Sequence, residues 1–290
     1  MVNESISSTG GCCQGAPAPV SWVPMAIGEE PWATPPVQLP LETGSVHIWR
    51  APLVIPSARR TRMMGVLTAK EREQCGRFLR PADRERCAAA RASLRIVLAK
   101  YLHGDPRTLP ILAATSGKPY LDYSADTSGA AAGLAPHGAV GIQFNLSHAE
   151  ECALIAVSRG MSVGIDVERM RDLKDMEAIL HGFFSHQEQV FVRSHEGEER
   201  TRAFFLLWTR REAAAKALGI GLSDSFARVR LPPVGHTRSG FRVVLPRPVA
   251  RTDGTESWWI RDLLPAPGHA GALCVEGKNP EPSLWSLGDE

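Results

Sequence analysis

Two short runs just past the middle of the chain leave little freedom over what that region can become. Ala153-Leu154-Ile155-Ala156-Val157 is wholly apolar, Ser158-Arg159-Gly160 follows as a turn, and Val163-Gly164-Ile165-Asp166-Val167-Glu168 then alternates. A short apolar run bounded by turn residues suits a buried strand, and an alternating run suits a strand with two unlike faces. Alternation throws Ile165 and Val167 to one face and Asp166 with Glu168 to the other. Two carboxylates on one face repel unless a cation lies between them, and hard oxygen ligands at that spacing suit Mg²⁺ or Mn²⁺. In isolation a D-x-E pattern is most often a solvated edge, because charged side chains mostly sit outside.

Size and charge narrow the setting. At 290 residues the chain has room for a sizeable core and for about two domains. Its 43% apolar and 22% charged content is that of an ordinary soluble protein. A net charge of +2 gives no argument for nucleic acid or a membrane surface as partner, and no apolar run approaches the roughly 20 residues of a bilayer span. The six cysteines (12, 13, 75, 87, 152 and 274) form no C-x-x-C pair and no metal-finger spacing. Cys152 and Cys274 fall in apolar runs, where a cysteine is a small buried hydrophobe. The N-terminus lacks the basic start and apolar core of a signal peptide, so the expected compartment is a reducing cytoplasm.

Residues 1–43 are rich in Gly, Ser, Pro and Ala and read as a mostly flexible extension, with local contacts at Trp22 or Trp32. Val46-His47-Ile48-Trp49 is the first strand. Thr68 with Glu71 makes a capping box that opens a helix running to Phe78. A second, longer helix restarts at Pro81, with Leu94, Val97, Leu98 and Tyr101 at helical spacing, and ends near His103-Gly104. Arginines 77, 80, 84, 86, 91 and 95 make this pair basic, most of them expected in solvent. A turn at Ser116-Gly117-Lys118-Pro119 precedes an insertion loop at 124–140. Gln143 to His148 is then a strand ending in a polar corner, with 152–157 as its antiparallel return.

Beyond the acidic strand, 176–184 and 187–193 read as short helical pieces and 199–218 as a long helix. That helix sets Phe204, Leu207 and Trp208 on one side and steps from Trp208 to Glu212 to Lys216 at i+4. Gly219-Ile220-Gly221 ends it. Strand-like runs at 226–231, 241–245, 257–263 and 272–276 follow, and a polar tail occupies 278–290. Ser147-His148-Ala149 and Gly268-His269-Ala270 echo each other before apolar return strands, which suggests two halves of similar build, 44–160 and 161–277.

Glu212 and Lys216 supply what a cation site at Asp166 and Glu168 needs for phosphoryl transfer: a third carboxylate, and a positive group for charge developing on a leaving phosphate. Alone they would be an ordinary helix-surface pair worth a few tenths of a kcal/mol. Ser147-His148 offers a hydroxyl and an imidazole that could meet a phosphate or simply satisfy a turn. The chain has no G-x-S-x-G elbow, no phosphate-binding G-x-x-x-x-G-K-[ST] loop and no dinucleotide fingerprint.

Taken in order, Phe144-Asn145-Leu146-Ser147-His148, Gly164-Ile165-Asp166-Val167-Glu168 and Trp208-Thr209-Arg210-Arg211-Glu212-Ala213-Ala214-Ala215-Lys216 resemble the signature of the Sfp-type 4′-phosphopantetheinyl transferases. Gly117-Lys118-Pro119 resembles that family's upstream motif, and Phe183-Phe184-Ser185 its segment between the acidic motifs. The likeness covers about 44–277. It implies an α+β fold of two similar α/β halves related by pseudo-twofold symmetry, with coenzyme A in the cleft between them. It also implies transfer of the phosphopantetheine arm of coenzyme A to a serine of an apo acyl or peptidyl carrier protein, releasing adenosine 3′,5′-bisphosphate.

By the same resemblance, Asp166, Glu168 and Glu212 would hold Mg²⁺ (or Mn²⁺), and Glu212 or a metal-linked water would take the serine proton. Lys216 would stabilise the leaving phosphate. Ser147 and His148 would contact coenzyme A phosphates, Lys118 and Pro119 would line the adenine side, and Arg86 would meet the 3′-phosphate. The sequence departs from the pattern in two places. Arg211 replaces the usual lysine, exchanging a compact ammonium for a planar fork. Glu71 and Gln74 stand where relatives place lysines for the 3′-phosphate, leaving Arg72 or Arg77 as substitutes. Fatty-acid, polyketide and nonribosomal-peptide carriers all remain open, with the W-x-x-[KR]-E-A form resembling members that serve secondary metabolism. A monomer is expected, since one chain supplies both sides of the cleft.

Two other readings compete. A Mg²⁺-dependent phosphodiesterase or nuclease would use similar acids, but the Glu–Lys spacing of four on a helix and the near-neutral charge oppose it. A non-catalytic coenzyme A- or carrier-binding protein would not need all three acids and the lysine.

Overall fold

The computed structural model describes residues 31–114, 117–122, 141–221, 229, 231–232, 239–245, 257–277 and 279–288. The insertion loop expected at 124–140 and most of the strand expected at 226–231 lie outside them. In chain order the elements are β1 (Val46–Pro52), α1 (Ser57–Gly65), α2 (Ala69–Gly76), α3 (Pro81–Leu102), β2 (Ile111–Ala113), β3 (Pro119–Leu121), β4 (Ile142–Ala149) and β5 (Cys152–Arg159). There follow β6 (Val163–Arg169), α4 (Met176–Phe183), α5 (His186–Arg193), α6 (Gly197–Leu218), β7 (Phe241–Val244), β8 (Ser257–Leu263), β9 (His269–Glu276) and β10 (Ser283–Ser286). The class is α+β. Among the described residues, no helix is long and apolar enough to cross a membrane.

Two four-stranded sheets carry the architecture, ordered β10-β1-β5-β4 and β6-β9-β8-β7. Their facing sides share one apolar layer, in which Ile48, Leu154 and Ala156 of the first meet Ile165, Leu273 and Val275 of the second. The opposite face of the first sheet packs on α3 through Trp49, Ile155 and Val157. That of the second packs on α6 through Ile260, Ala272 and Cys274. The unbroken apolar runs Cys152–Val157 of β5 and Ala270–Val275 of β9 follow directly, since each strand has a covered face on both sides.

One order of elements occurs twice. β1 leads through α1 and α2 to the 22-residue α3 and then to the β4–β5 hairpin, with β1 antiparallel to β5. β6 leads through α4 and α5 to the 22-residue α6 and then to the β8–β9 pair, with β6 antiparallel to β9. The two histidine echoes are nevertheless not equivalent positions. His148 lies before its hairpin turn, opposite Ala153, whereas His269 lies after its own, opposite Arg169.

Local chemistry explains the helix ends. Thr68 accepts from the Glu71 amide while the Glu71 carboxylate accepts from the Thr68 amide at 2.9 Å, the box read from the sequence. Ser185 and Glu188 repeat it at α5. Gly219 stops α6 at φ 70°, a left-handed conformation that glycine adopts without cost.

Three expectations are corrected. Residues 31–43 are held at more than the Trp32 contact expected, where Arg50 sits 5.2 Å over the ring: Ala33 also bridges Trp285, and Leu41 is buried. The supposed polar tail contains β10, which adds a parallel strand to β1 and buries Leu284 and Leu287. Its short apolar content was enough to cover an otherwise open sheet edge. Arg95 is buried rather than solvated, its guanidinium on Glu71 at 2.7 Å and on the Pro106 carbonyl at 2.8 Å. The chain also carries a covalent tie that cysteine spacing did not announce, a disulfide joining Cys75 of α2 to Cys87 of α3.

The packing of α6 on β6 depends on Gly164. A Cβ there would fall 2.1 Å from the Ala213 carbonyl oxygen and 2.3 Å from the Ala217 amide nitrogen, both backbone atoms that cannot turn aside. Gly164→Ala is therefore expected to destabilise by about 3 kcal/mol or more. Gly182→Ala, on α4 with nothing within 4 Å, should be neutral or slightly stabilising. Urea unfolding of the two variants measures this, and equal midpoints would refute the tight approach.

Candidate active site

Strand alternation does what the sequence implied. Ile165 and Val167 enter the layer between the sheets, while Gly164, Asp166 and Glu168 turn to the α6 side. Because Gly164 lets the backbones meet, the last two turns of α6 hang directly over these acids. Lys216 reaches back and donates to Asp166 Oδ1 at 2.6 Å and to Ser147 Oγ at 2.9 Å. The Ser147 hydroxyl donates to the same Oδ1 at 2.8 Å. Three elements, β4, β6 and α6, thus converge on one carboxylate oxygen.

Asp166 is buried, and its second oxygen, Oδ2, has no partner; nor has Glu212 Oε1. Both acids flanking Asp166 are hard to ionise. Burial pushes Glu212 up to about 7, with the charges of Asp166 and Glu168 adding to the effect and Lys216 opposing it. Burial also raises Glu168, reinforced by Asp166 and partly offset by Arg171, Lys216 and a hydrogen bond to Trp208. Carboxylates close enough for one charge to raise its neighbours, with buried oxygens left unpartnered, have the donor set of a hard-cation site. They are not closed into one: among the described residues, no three Asp, Glu, His or Cys side chains surround a common point. Lys216 is the positive charge that stands among them.

Beyond Glu168 an open cleft of about 390 Å³ is lined by Phe78, Asp83, Arg86, His148, Arg169 and Arg171, among others. His148 is held below its ordinary value by burial and by the charges of Lys216, Arg91 and Arg86. An imidazole kept neutral by surrounding cations marks a place prepared for anions. Arg86 now ties to Glu150 at 2.9 Å and Asp83 at 3.3 Å, so α3 and the β4–β5 turn both hold it at the rim. Arg72 gives its guanidinium to the Leu67 carbonyl and Arg77 to Glu73.

Not every expected residue lies where its assigned role needs it. The Ser147 hydroxyl is occupied inside the protein by Asp166 and Lys216 rather than turned to the cleft. Pro119 stands opposite Ala113 in the β2–β3 ladder. Lys118 sends its ammonium to the Lys216 carbonyl at 2.7 Å and the Val163 carbonyl at 3.2 Å, and burial brings it down to about 8.

Arg211 gives the departure from lysine a physical reason. Its buried fork donates to Glu188 Oε1 and to the Phe183 carbonyl, both at 2.5 Å, with the guanidinium 5.0 Å from the Phe184 ring. It clamps the segment Phe183–Ser185 to the helix that carries Glu212, a task an ammonium could share only in part. Glu188 went unnoticed in the sequence; its i+3 spacing from Ser185 is the signal that could have announced at least the cap. Trp208 forms an aromatic cluster with Phe184 and Phe204 and meets Glu168.

Residues 162–270 match the family model described as the 4′-phosphopantetheinyl transferase superfamily, and residues 56–160 match the one described as 4′-phosphopantetheinyl transferase, N-terminal. The chain is 30% identical over 255 residues to the 4′-phosphopantetheinyl transferase HetI of Nostoc sp., covering 88% of this chain and 97% of that protein. It is 30% identical over 217 residues to a 4′-phosphopantetheinyl transferase of Bacillus subtilis, covering 74% and 84%. Against the 4′-phosphopantetheinyl transferase Sfp of Bacillus subtilis (strain 168) the identity is 26% over 217 residues, with the same coverage.

Two outcomes follow from this geometry. A carboxyl raised in the folded state holds an extra proton between its ordinary 4.5 and about 7. Its contribution to stability is therefore present below that window and lost as pH rises through it. Metal-free protein should lose roughly 1–2 kcal/mol more than Glu212→Gln between about pH 5 and pH 8, after allowance for solvent screening; parallel melting curves with pH would mean Glu212 is not perturbed. Arg211→Lys should cost about 1–3 kcal/mol in urea unfolding, because one ammonium cannot serve both acceptors in the fork's geometry.

Proposed function

This chain belongs to the 4′-phosphopantetheinyl transferase superfamily, and on that premise we propose how its residues divide the work. The activity is transfer of a 4′-phosphopantetheine group to carrier proteins. The donor in our reading is coenzyme A, lying between the two sheet-and-helix units, which we take as related by a pseudo-twofold axis. The observation that carries the reading is the Lys216–Asp166 contact at 2.6 Å. It joins the acidic strand to the helix that also bears Glu212.

The chemistry needs little covalent help from the protein. A carrier serine oxygen bonds to the pantetheine-bearing phosphorus of coenzyme A, and the pyrophosphate P–O bond breaks to release adenosine 3′,5′-bisphosphate. Such a displacement depends on positioning and on charge neutralisation. Asp166, Glu168 and Glu212 would hold Mg²⁺ or Mn²⁺; the partnerless oxygens of Asp166 and Glu212 fit such an ion, whose chemistry is to neutralise pyrophosphate charge.

Glu212 takes the serine proton, and a carboxyl near 7 is matched to that task at neutral pH. Lys216 neutralises or protonates the departing phosphate. His148 and Arg86 receive coenzyme A phosphates at the cleft, the latter the 3′-phosphate, and Pro119 lines the adenine side. Ser147 orients Asp166 and Lys216 instead of touching the substrate. The acceptor is the serine-bearing domain of an apo acyl or peptidyl carrier, and a cytoplasmic monomer suffices because one chain supplies every group. Family membership displaces the nuclease reading, and the complete set of acids and lysine argues for turnover over mere binding.

Labelling of an apo carrier protein with a fluorescent coenzyme A analogue tests this. Asp166→Ala and Glu212→Ala should each slow Mg²⁺-dependent labelling by about 10²-fold or more. Undiminished rates in both would reject the assignment.

A further inference from the structure

We propose that Lys118 is a positioning residue for the transfer step, pinning the last turn of α6 to the free edge of β6 and thereby fixing where the Lys216 amine can reach. The inference rests on the reading that Lys216 acts in the transfer.

β6 is an edge strand, paired only with β9 in its sheet. On its open side the Val163 carbonyl and the Ile165 amide point outward together, as alternate residues of an antiparallel strand do. Neither is left to water. Asn145 Oδ1 accepts from the Ile165 amide at 2.8 Å, and Lys118 donates to the Val163 carbonyl at 3.2 Å. Two side chains from earlier in the chain thus do for this edge what a neighbouring strand would do.

The same Nζ donates at 2.7 Å to the carbonyl of Lys216 itself. That carbonyl belongs to the last turn of α6, where its backbone donor is only the Gly219 amide at 3.3 Å and the helix dipole is negative. A cation is the favoured cap there. The bonded residues are also telling: Val163 precedes Gly164, the point of closest approach between β6 and α6, and Lys216 carries the amine 2.6 Å from Asp166. Gly164 removes a side chain so that the two backbones can meet, and Lys118 fastens them once they have. With its ammonium so engaged, Lys118 acts through Lys216 and not on coenzyme A, and misplacement of a reacting group by about 1 Å can cost 10²-fold in rate.

The test compares wild type, Lys118→Met, Lys118→Arg, Lys216→Met and the Lys118→Met/Lys216→Met double variant. It uses calorimetric coenzyme A binding and carrier labelling at saturating coenzyme A. Lys118→Met should lower kcat about 10–100-fold while the coenzyme A Kd stays within about twofold. Lys118→Arg, which keeps charge and donors, should recover at least part of the rate. The double variant should be no slower than Lys216→Met alone, because the first residue acts through the second. A coenzyme A Kd weakened in step with kcat/KM, at unchanged kcat, would overturn the proposal and return Lys118 to the ligand. So would a lower melting temperature with full kcat, which marks mere stabilisation. If Lys216→Met labels as fast as wild type, the functional reading fails and takes this inference with it; if only Lys118→Met does, the inference alone fails.

Discussion

The near-contact of two backbones at Gly164 sets the terms for everything around it. A helix normally stands off a sheet by the thickness of its side chains. Here one missing Cβ lets α6 settle onto β6, which is why a lysine from the helix's last turn can lie on an aspartate of the strand. The site is therefore built on regular elements and not on loops. Its precision derives from the rigidity of a helix and a sheet pressed together, with Asn145 and Lys118 satisfying the polar edge that this closeness exposes.

Charge is the second organising constraint. Asp166 makes both Glu168 and Glu212 harder to ionise, Lys216 offsets part of this, and two carboxylate oxygens stay unpartnered. Such an arrangement costs stability where it stands, and it persists in functional sites because the deficit is met by what binds there. The neighbouring cleft carries both signs, with Arg86, Arg169 and Arg171 beside Asp83, Glu150 and Glu168. Unpartnered acid oxygens next to cleft arginines match a ligand that is itself a polyanion bridged by a cation.

Much of this was legible in the chain. Period-two alternation gave the direction of Asp166 and Glu168, i+4 spacing gave the shared face of Glu212 and Lys216, and a capping box gave the start of α2. What escaped has a common physical cause. Arg211, Glu188, Arg95 and Lys118 look like surface charges in any local window, and only tertiary contact turns them into buried forks and struts. β10 escaped because a strand of four residues has too little periodicity to stand out. Ser147 is assigned to coenzyme A phosphates by resemblance alone, whereas its strand register points its hydroxyl at Asp166.

That late strand has a bearing on how the chain is made. β10 lies beside β1, although the two are separated by almost the whole polypeptide. During synthesis from the N-terminus, β1 can pair with β5 as soon as residue 159 has emerged, but its other edge stays bare until residues 283–286 arrive. The sheet begun first is thus the one finished last. An open edge of this kind invites pairing with other chains, so for the length of that wait a growing copy offers its neighbours the same ladder of amides and carbonyls that its own final residues will claim.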